Sequence, residues 1–188
     1  MRVGSRTVAV SLVLALVTAT TVAGWLAWSS RMADNVLVSW SPASPDCEGT
    51  TVQQLDSQRV INARDTMHCV IAVSVVNRGT RTVHVVRGVA PFVGPETGTV
   101  VKADTTSAAA HSGGIDAVFP LGTDLGGGES MTFEIVLVFN PGGCNQGGTM
   151  RLSGWPTVTV EALGRGLDVQ SDQTLAFERR GTTPGCPI

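Results

Sequence analysis

The chain has 188 residues, 43% of them hydrophobic, enough for one core of ordinary size. Only 15% are charged, 13 basic against 15 acidic for a net of -2, so the footprint of a nucleic-acid binder is missing. With 22 glycines, 9 prolines and a mean hydropathy of +0.20, it is neither a charge-rich disordered chain nor a collagen-like repeat.

The first element is apolar. No charge falls between Arg6 and Arg31, and Thr7 to Trp28 is dominated by Val, Leu and Ala. As a helix this run reaches roughly 33 Å, which crosses a hydrocarbon core of about 30 Å. Trp25 and Trp28 stand at its far end, where indoles favour the headgroup region. Length and tryptophans favour an uncleaved anchor over a signal peptide, for which Val22-Ala23-Gly24 offers only a poor small-x-small site. Arg2 and Arg6 precede the run and place residues 1–6 in the cytoplasm, with 7–28 spanning the membrane. Residues 29–45 are then expected to hold a linker and first strand, and 46–188 an extracytoplasmic domain. Beyond residue 28 all 15 acidic residues face 11 basic ones, the 13 less Arg2 and Arg6, so the domain as a whole is not expected to adhere to anionic lipid. Within the span, Ser11, Ala15, Ala19 and Ala23 recur every fourth residue, a ladder that permits self-association. Small residues on other faces (Thr18, Thr20, Thr21, Gly24) are the competing explanation.

Past the anchor the apolar period is two. Cys69, Ile71, Val73 and Val75 alternate with Ala72 and Ser74, and Asn77-Arg78-Gly79-Thr80 ends the run. Arg81 to Arg87, with Val83 and Val85 inward, is expected to return as its hairpin partner. The clearest strand carries Met131, Phe133, Ile135, Leu137 and Phe139 between a triple-glycine turn and Asn140-Pro141-Gly142-Gly143. Thr157 to Leu163 alternates again, and Gly164-Arg165-Gly166 is expected to turn the chain toward a last strand with Leu175 and Phe177. Shorter candidates lie at 36–40, 59–61, 89–93, 99–102, 115–119 and 149–152. Ser39 to Pro45 reads as the linker or first turn, and Ala103 to Gly114 as a mobile loop. Eight to ten short strands, without a helical period, predict an all-β antiparallel sandwich behind one transmembrane helix, with an open barrel as the alternative.

The stretch Val70 to Gly79, continuing through Val83-His84-Val85, resembles the second and third strands of bacterial immunoglobulin-like and fibronectin-III-like ectodomains. Leu125-Gly126-Gly127-Gly128-Glu129-Ser130 resembles their lead-in to a later strand. With the segment from Val158 to Phe177, the likeness covers roughly residues 36–178 and implies an immunoglobulin-like sandwich. It implies no functional residue, since the same motifs serve adhesion, scaffolding and ligand binding.

Four cysteines, Cys47, Cys69, Cys144 and Cys186, allow three pairings outside the cytoplasm. Cys47 with Cys69 and Cys144 with Cys186 is the preferred set, the second pinning the tail from Gly181 to Ile188. No C-x-x-C is present, which argues against structural zinc and thioredoxin-like chemistry.

Other chemistry is sparse. Met67, His68 and Cys69 are soft ligands in a row, and His84 lies on an outward strand position. Neighbours on a strand point to opposite faces, so an outward His beside a buried Cys is the stronger reading for His68. His111-Ser112-Gly113-Gly114 resembles a serine-protease turn but lacks its preceding Asp, and Gly128 to Thr132 departs from a nucleophile elbow at its last position. Trp40 and Trp155 are candidates for a sugar-binding platform or for core and lid positions. Together these features predict no cofactor and no catalytic residue. The expected protein is single-pass, with a non-catalytic interaction, scaffolding or accessory role beside a protein partner. A metal- or small-ligand-binding ectodomain using Met67, His68 and His84 is the alternative. Lys102 is the single lysine, a bias that fits a high-GC coding sequence and a bacterial envelope.

Overall fold

Uninterrupted apolar sequence makes the first element a helix, α1 (Gly4–Asp34), and it runs further than the hydropathy alone predicts. The computed structural model describes residues 4–55, 58–104, 111–144 and 147–179, without the side chains of 4–12 and 111–113. Cys186, the tail from Gly181 and the middle of the 103–114 segment lie outside these residues. Residues 29–34, expected to begin a linker, remain helical, and only Asn35 separates the helix from the first strand. The reason is packing: Met32 and Ala33 turn into the core, and Ser29 is fully buried.

Fourteen strands follow among the described residues: β1 (Val36–Trp40), β2 (Asp46–Glu48), β3 (Val52–Leu55), β4 (Gln58–Asn62), β5 (His68–Asn77), β6 (Val83–Ala90), β7 (Val101–Ala103), β8 (His111–Gly113), β9 (Asp116–Leu125), β10 (Ser130–Phe139), β11 (Thr149–Ser153), β12 (Thr157–Ala162), β13 (Arg165–Gln170) and β14 (Thr174–Glu178). One sheet has the order β1-β5-β10-β7, a second β13-β12-β6-β9-β8, and a third β11-β14-β4-β3. All pairings are antiparallel except β14 with β4, which is parallel and departs from the wholly antiparallel expectation.

β5 and β10 are the inner strands of the first sheet, paired from Ser130↔Val76 to Val138↔His68. Their inward residues are those the period of two picks out: Cys69, Ile71, Val73, Val75, Ile135 and Leu137 are all buried. β6 does not return along β5 as a hairpin. It joins the second sheet between β12 and β9, so Asn77 to Thr82 carries the chain from one sheet to the other. Both strands have an apolar face, and setting those faces opposite one another buries both in one core. A hairpin would have set them side by side.

Contacts between the two sheets are direct. Phe119 of β9 and Phe133 of β10 have ring centroids 6.0 Å apart. A Cβ on Gly88 of β6 would come within 2.8 Å of the Phe133 ring, so glycine there allows the close approach. The third sheet joins the same core through Ile61, Leu175 and Phe177. Trp155 sits where all three meet. It is 1% exposed; its indole N–H donates to the Pro91 carbonyl just past β6 and its backbone N–H to the Gln173 carbonyl just before β14. Its own carbonyl accepts the Trp40 indole N–H from β1, with the two rings edge to face at 5.8 Å.

The segment Ser39 to Pro45 is not a linker. β1 and β2 both run antiparallel along one edge of β5, and residues 41–45 form a bulge between them. The Ser41 N–H donates to the Ala72 carbonyl, the Ala72 N–H to Ser44 Oγ, and the Arg59 guanidinium to the carbonyls of Ser44 and Pro42. This register sets Cys47 opposite Cys69, and they form the expected disulfide. Cys144 is also disulfide-bonded. In the last hairpin, Leu163-Gly164 makes the turn with φ of 55° and 75°. Arg165 and Gly166, expected in that turn, therefore open β13, a separate strand.

Candidate functional site at the helix junction

Among the described residues one helix is long and apolar enough to cross a membrane, Val13–Asp34 by composition. From Val13 to Trp28 its side chains are exposed, with Val13 at 63% and Leu16 at 66%. Ala15, Ala19 and Ala23 of the small-residue ladder belong to this exposed stretch, and the side chain of Ser11 lies outside the described residues.

The last three turns are fastened to the domain. The Trp25 indole N–H donates to the Leu163 carbonyl at 3.1 Å, in the β12–β13 turn. Arg165, the first residue of β13, donates through Nη1 to the Leu26 carbonyl at 3.4 Å and to Ser29 Oγ and Ser30 Oγ at 3.3 Å each. Asn35 closes the helix: its side-chain amide donates to the Arg31 carbonyl at 2.8 Å, and its own carbonyl accepts the Arg78 N–H at 2.8 Å.

Asn77 anchors the loop facing this helix end. Its amide nitrogen donates to the carbonyls of Arg81, Leu125 and Gly126, and its Oδ1 accepts the Gly79 N–H at 2.9 Å. The glycine-rich turn beyond is held the same way: the Gly128 N–H donates to the Asn77 carbonyl, and Glu129 Oε2 accepts the Gly126 N–H at 2.7 Å. Between helix and loop lies a cleft of about 430 Å³, lined by Gly24, Ala27, Trp28 and Arg31 on one side and Gly79 and Arg81 on the other. Arg31 and Arg81 are exposed, and among the described residues neither guanidinium meets a hydrogen-bond or ion-pair partner.

A second cleft, of about 480 Å³, opens beside β1. Trp40, Gln54, Gln58, Arg59, Asp172 and Thr174 contribute to its polar walls. Trp40 is half-buried and shows only part of its ring, while Trp155 is wholly internal, so the two do not form an exposed aromatic platform.

The soft-ligand candidates are not brought together. Met67 is buried, His68 is exposed at the start of β5 in the first sheet, and His84 lies on β6 in the second. His84 Nδ1 is 2.6 Å from Asp124 Oδ1 of the neighbouring β9. Among the described residues no three His, Cys, Asp or Glu side chains cluster as metal ligands would. His111 and Ser112, expected in a loop, belong by backbone to edge strand β8 and pair with Val118 and Ala117. The helix–domain fastening was not expected from sequence. Its one visible sign is serine at 29 and 30 directly after an apolar run.

No known protein family matches the sequence, and no curated protein does. Among solved structures, the chain overlaps a GH20 exo-β-N-acetylglucosaminidase from Vibrio harveyi in complex with N-acetylglucosamine, at 10% identity and TM-score 0.35, over 82% of this chain and 20% of the enzyme. It overlaps an inactive mutant of that enzyme at 11% identity and TM-score 0.33, over 74% of this chain and 17% of the other. An alkylpurine DNA glycosylase AlkC from Pseudomonas fluorescens, bound to DNA, overlaps at 15% identity and TM-score 0.33, over 78% of this chain and 31% of the other. The chain thus spans under a third of each of these proteins, and overlaps this loose bear on neither its fold nor its chemistry.

Proposed function

We propose that the protein is a single-pass envelope protein, amino terminus in the cytoplasm, that holds an immunoglobulin-like β-sandwich against the outer face of the membrane as a non-catalytic interaction or scaffolding module. The carrying observation is the exposed apolar run from Val13 to Trp28, continuous with a helix end buried in the domain. An apolar surface of that length needs cover, and a bilayer supplies it. Arg2 and Arg6 before the run support the orientation. The Cys47–Cys69 disulfide supports an oxidising compartment for the domain. The immunoglobulin-like reading is supported by strand order: β1-β5-β10 has the sequence of the A-B-E strands and β13-β12-β6 that of the G-F-C strands, with β5 to β6 crossing between the sheets, while β7 and β9 come in the reverse of the D and C′ chain order.

The test is cross-linking of tagged full-length protein in its native membrane, with intact mass and protease protection of both ends. Retention of residues 1–28, a protected amino terminus, an accessible carboxyl terminus and a stoichiometric protein partner are expected. A cleaved, lone domain overturns the proposal. The polar cleft beside Trp40 favours a second reading, a domain that binds a small polar ligand, which such a cleaved domain carrying a bound small molecule would support.

A further inference from the structure

We infer that the cleft between the end of α1 and the Gly79–Arg81 loop binds the headgroup of an anionic phospholipid, with Arg31 and Arg81 pairing its phosphate; this rests on the proposal that α1 spans the membrane. If it does, the cleft sits where the headgroups are. Trp25 and Trp28 stand at its level and Val13 to Ala23 lies below it. Its helix wall runs from apolar at Gly24, Ala27 and Trp28 to cationic at Arg31, in the order a lipid presents acyl chain and phosphate. A Cβ at Gly24 would meet nothing within 4 Å, so the apolar end is open space.

Charge is segregated around the helix end. Arg31 and Arg81 line this cleft, while Asp34 and Asp168 line the hollow on another side of the helix. The domain's net negative charge hides this local arrangement. Glu129, near the same end, is committed to the Gly126 N–H. Carbonyls at a helix C-terminus disfavour an anion, but Asn35 covers that of Arg31, and among the described residues the two guanidiniums meet no partner. The loop wall is already ordered by Asn77, so little freedom remains to be lost on binding.

The experiment uses full-length protein in vesicles of phosphatidylcholine, with and without phosphatidylglycerol. Flotation reports insertion, and native mass spectrometry of the detergent-extracted protein reports retained lipid. Wild type is expected to float with both vesicles and to retain phosphatidylglycerol selectively. Arg31→Gln and Arg81→Gln should each weaken that retention about fivefold, and the double variant should abolish selectivity. Arg64→Gln with Arg151→Gln, which removes equal charge from exposed positions outside the cleft, should retain lipid as wild type does. Gly24→Leu keeps both arginines and should lower retention by filling the apolar end. Equal retention of the two lipids, equal loss in the Arg64/Arg151 control, or full competition by inorganic phosphate overturns the inference while leaving the anchor intact. Failure of the wild type to float overturns the anchor itself.

Discussion

The two halves of α1 have similar backbone and opposite surroundings. Val13 to Trp28 presents Val, Leu and Trp outward, whereas Ser29 to Asp34, six residues of more polar sequence, buries Ser29, Met32 and Ala33 in the domain. Hydropathy would rank these halves the other way for burial. Burial here is decided by what the neighbouring strands offer: Arg165 donates to Ser29 and Ser30 of the more polar half, while the Leu163 carbonyl takes only the Trp25 indole N–H at the end of the apolar one. A helix end fastened like this is held in a set orientation to the domain, without the freedom a linker would give.

The comparison can be broken or sharpened by substitution. Removing the Cys47–Cys69 bridge, a separation of 22 residues, should cost about 3 kcal/mol in denaturant unfolding of the detergent-solubilised protein. The helix end should still dock in the folded state, because the bridge joins β2 to β5 away from the junction. Met32→Ala should cost about 2 kcal/mol in the same assay, and Leu16→Ala in the exposed half less than about 0.5 kcal/mol. Equal costs would erase the distinction between the halves. Arg165→Ala should cost about 1 to 2 kcal/mol and loosen the helix end, read as faster amide exchange at residues 29–34. Trp25→Phe keeps the ring and loses one hydrogen bond to Leu163, for about 1 kcal/mol or less. No change in exchange with either variant would mean that Met32 and Ala33 alone hold the junction.

Much of the fold was legible. The alternation in 69–75 and 131–139 named the buried faces of β5 and β10, and the six shorter runs at 36–40, 59–61, 89–93, 99–102, 115–119 and 149–152 each overlap a strand. β2, β3 and β8 were missed because Asp46-Cys47-Glu48, Val52 to Leu55 and His111 to Gly113 carry little apolar pattern; backbone pairing to a neighbour makes them strands. β13 was missed because Leu163 takes a positive φ, a position sequence reading reserves for glycine or asparagine. Of the candidate site residues, the Cys47–Cys69 pair was legible and the cleft at the helix end was not. Arg31 and Arg81 are 50 positions apart in sequence and neither belongs to a motif.

By itself the sequence determined which residues face inward, that one segment is apolar enough to span a membrane, and that Cys47 suits Cys69. These follow from periodicity, length and composition, which are local properties. Only the tertiary structure decided that β6 crosses to the opposite sheet, that β14 pairs in parallel with β4, that Trp155 joins three sheets, and that the helix is fastened to the domain through Arg165. The physical reason is that a period of two encodes which face of a strand is buried but not which strand lies beside it. That choice is made by the packing of all the apolar faces into one core.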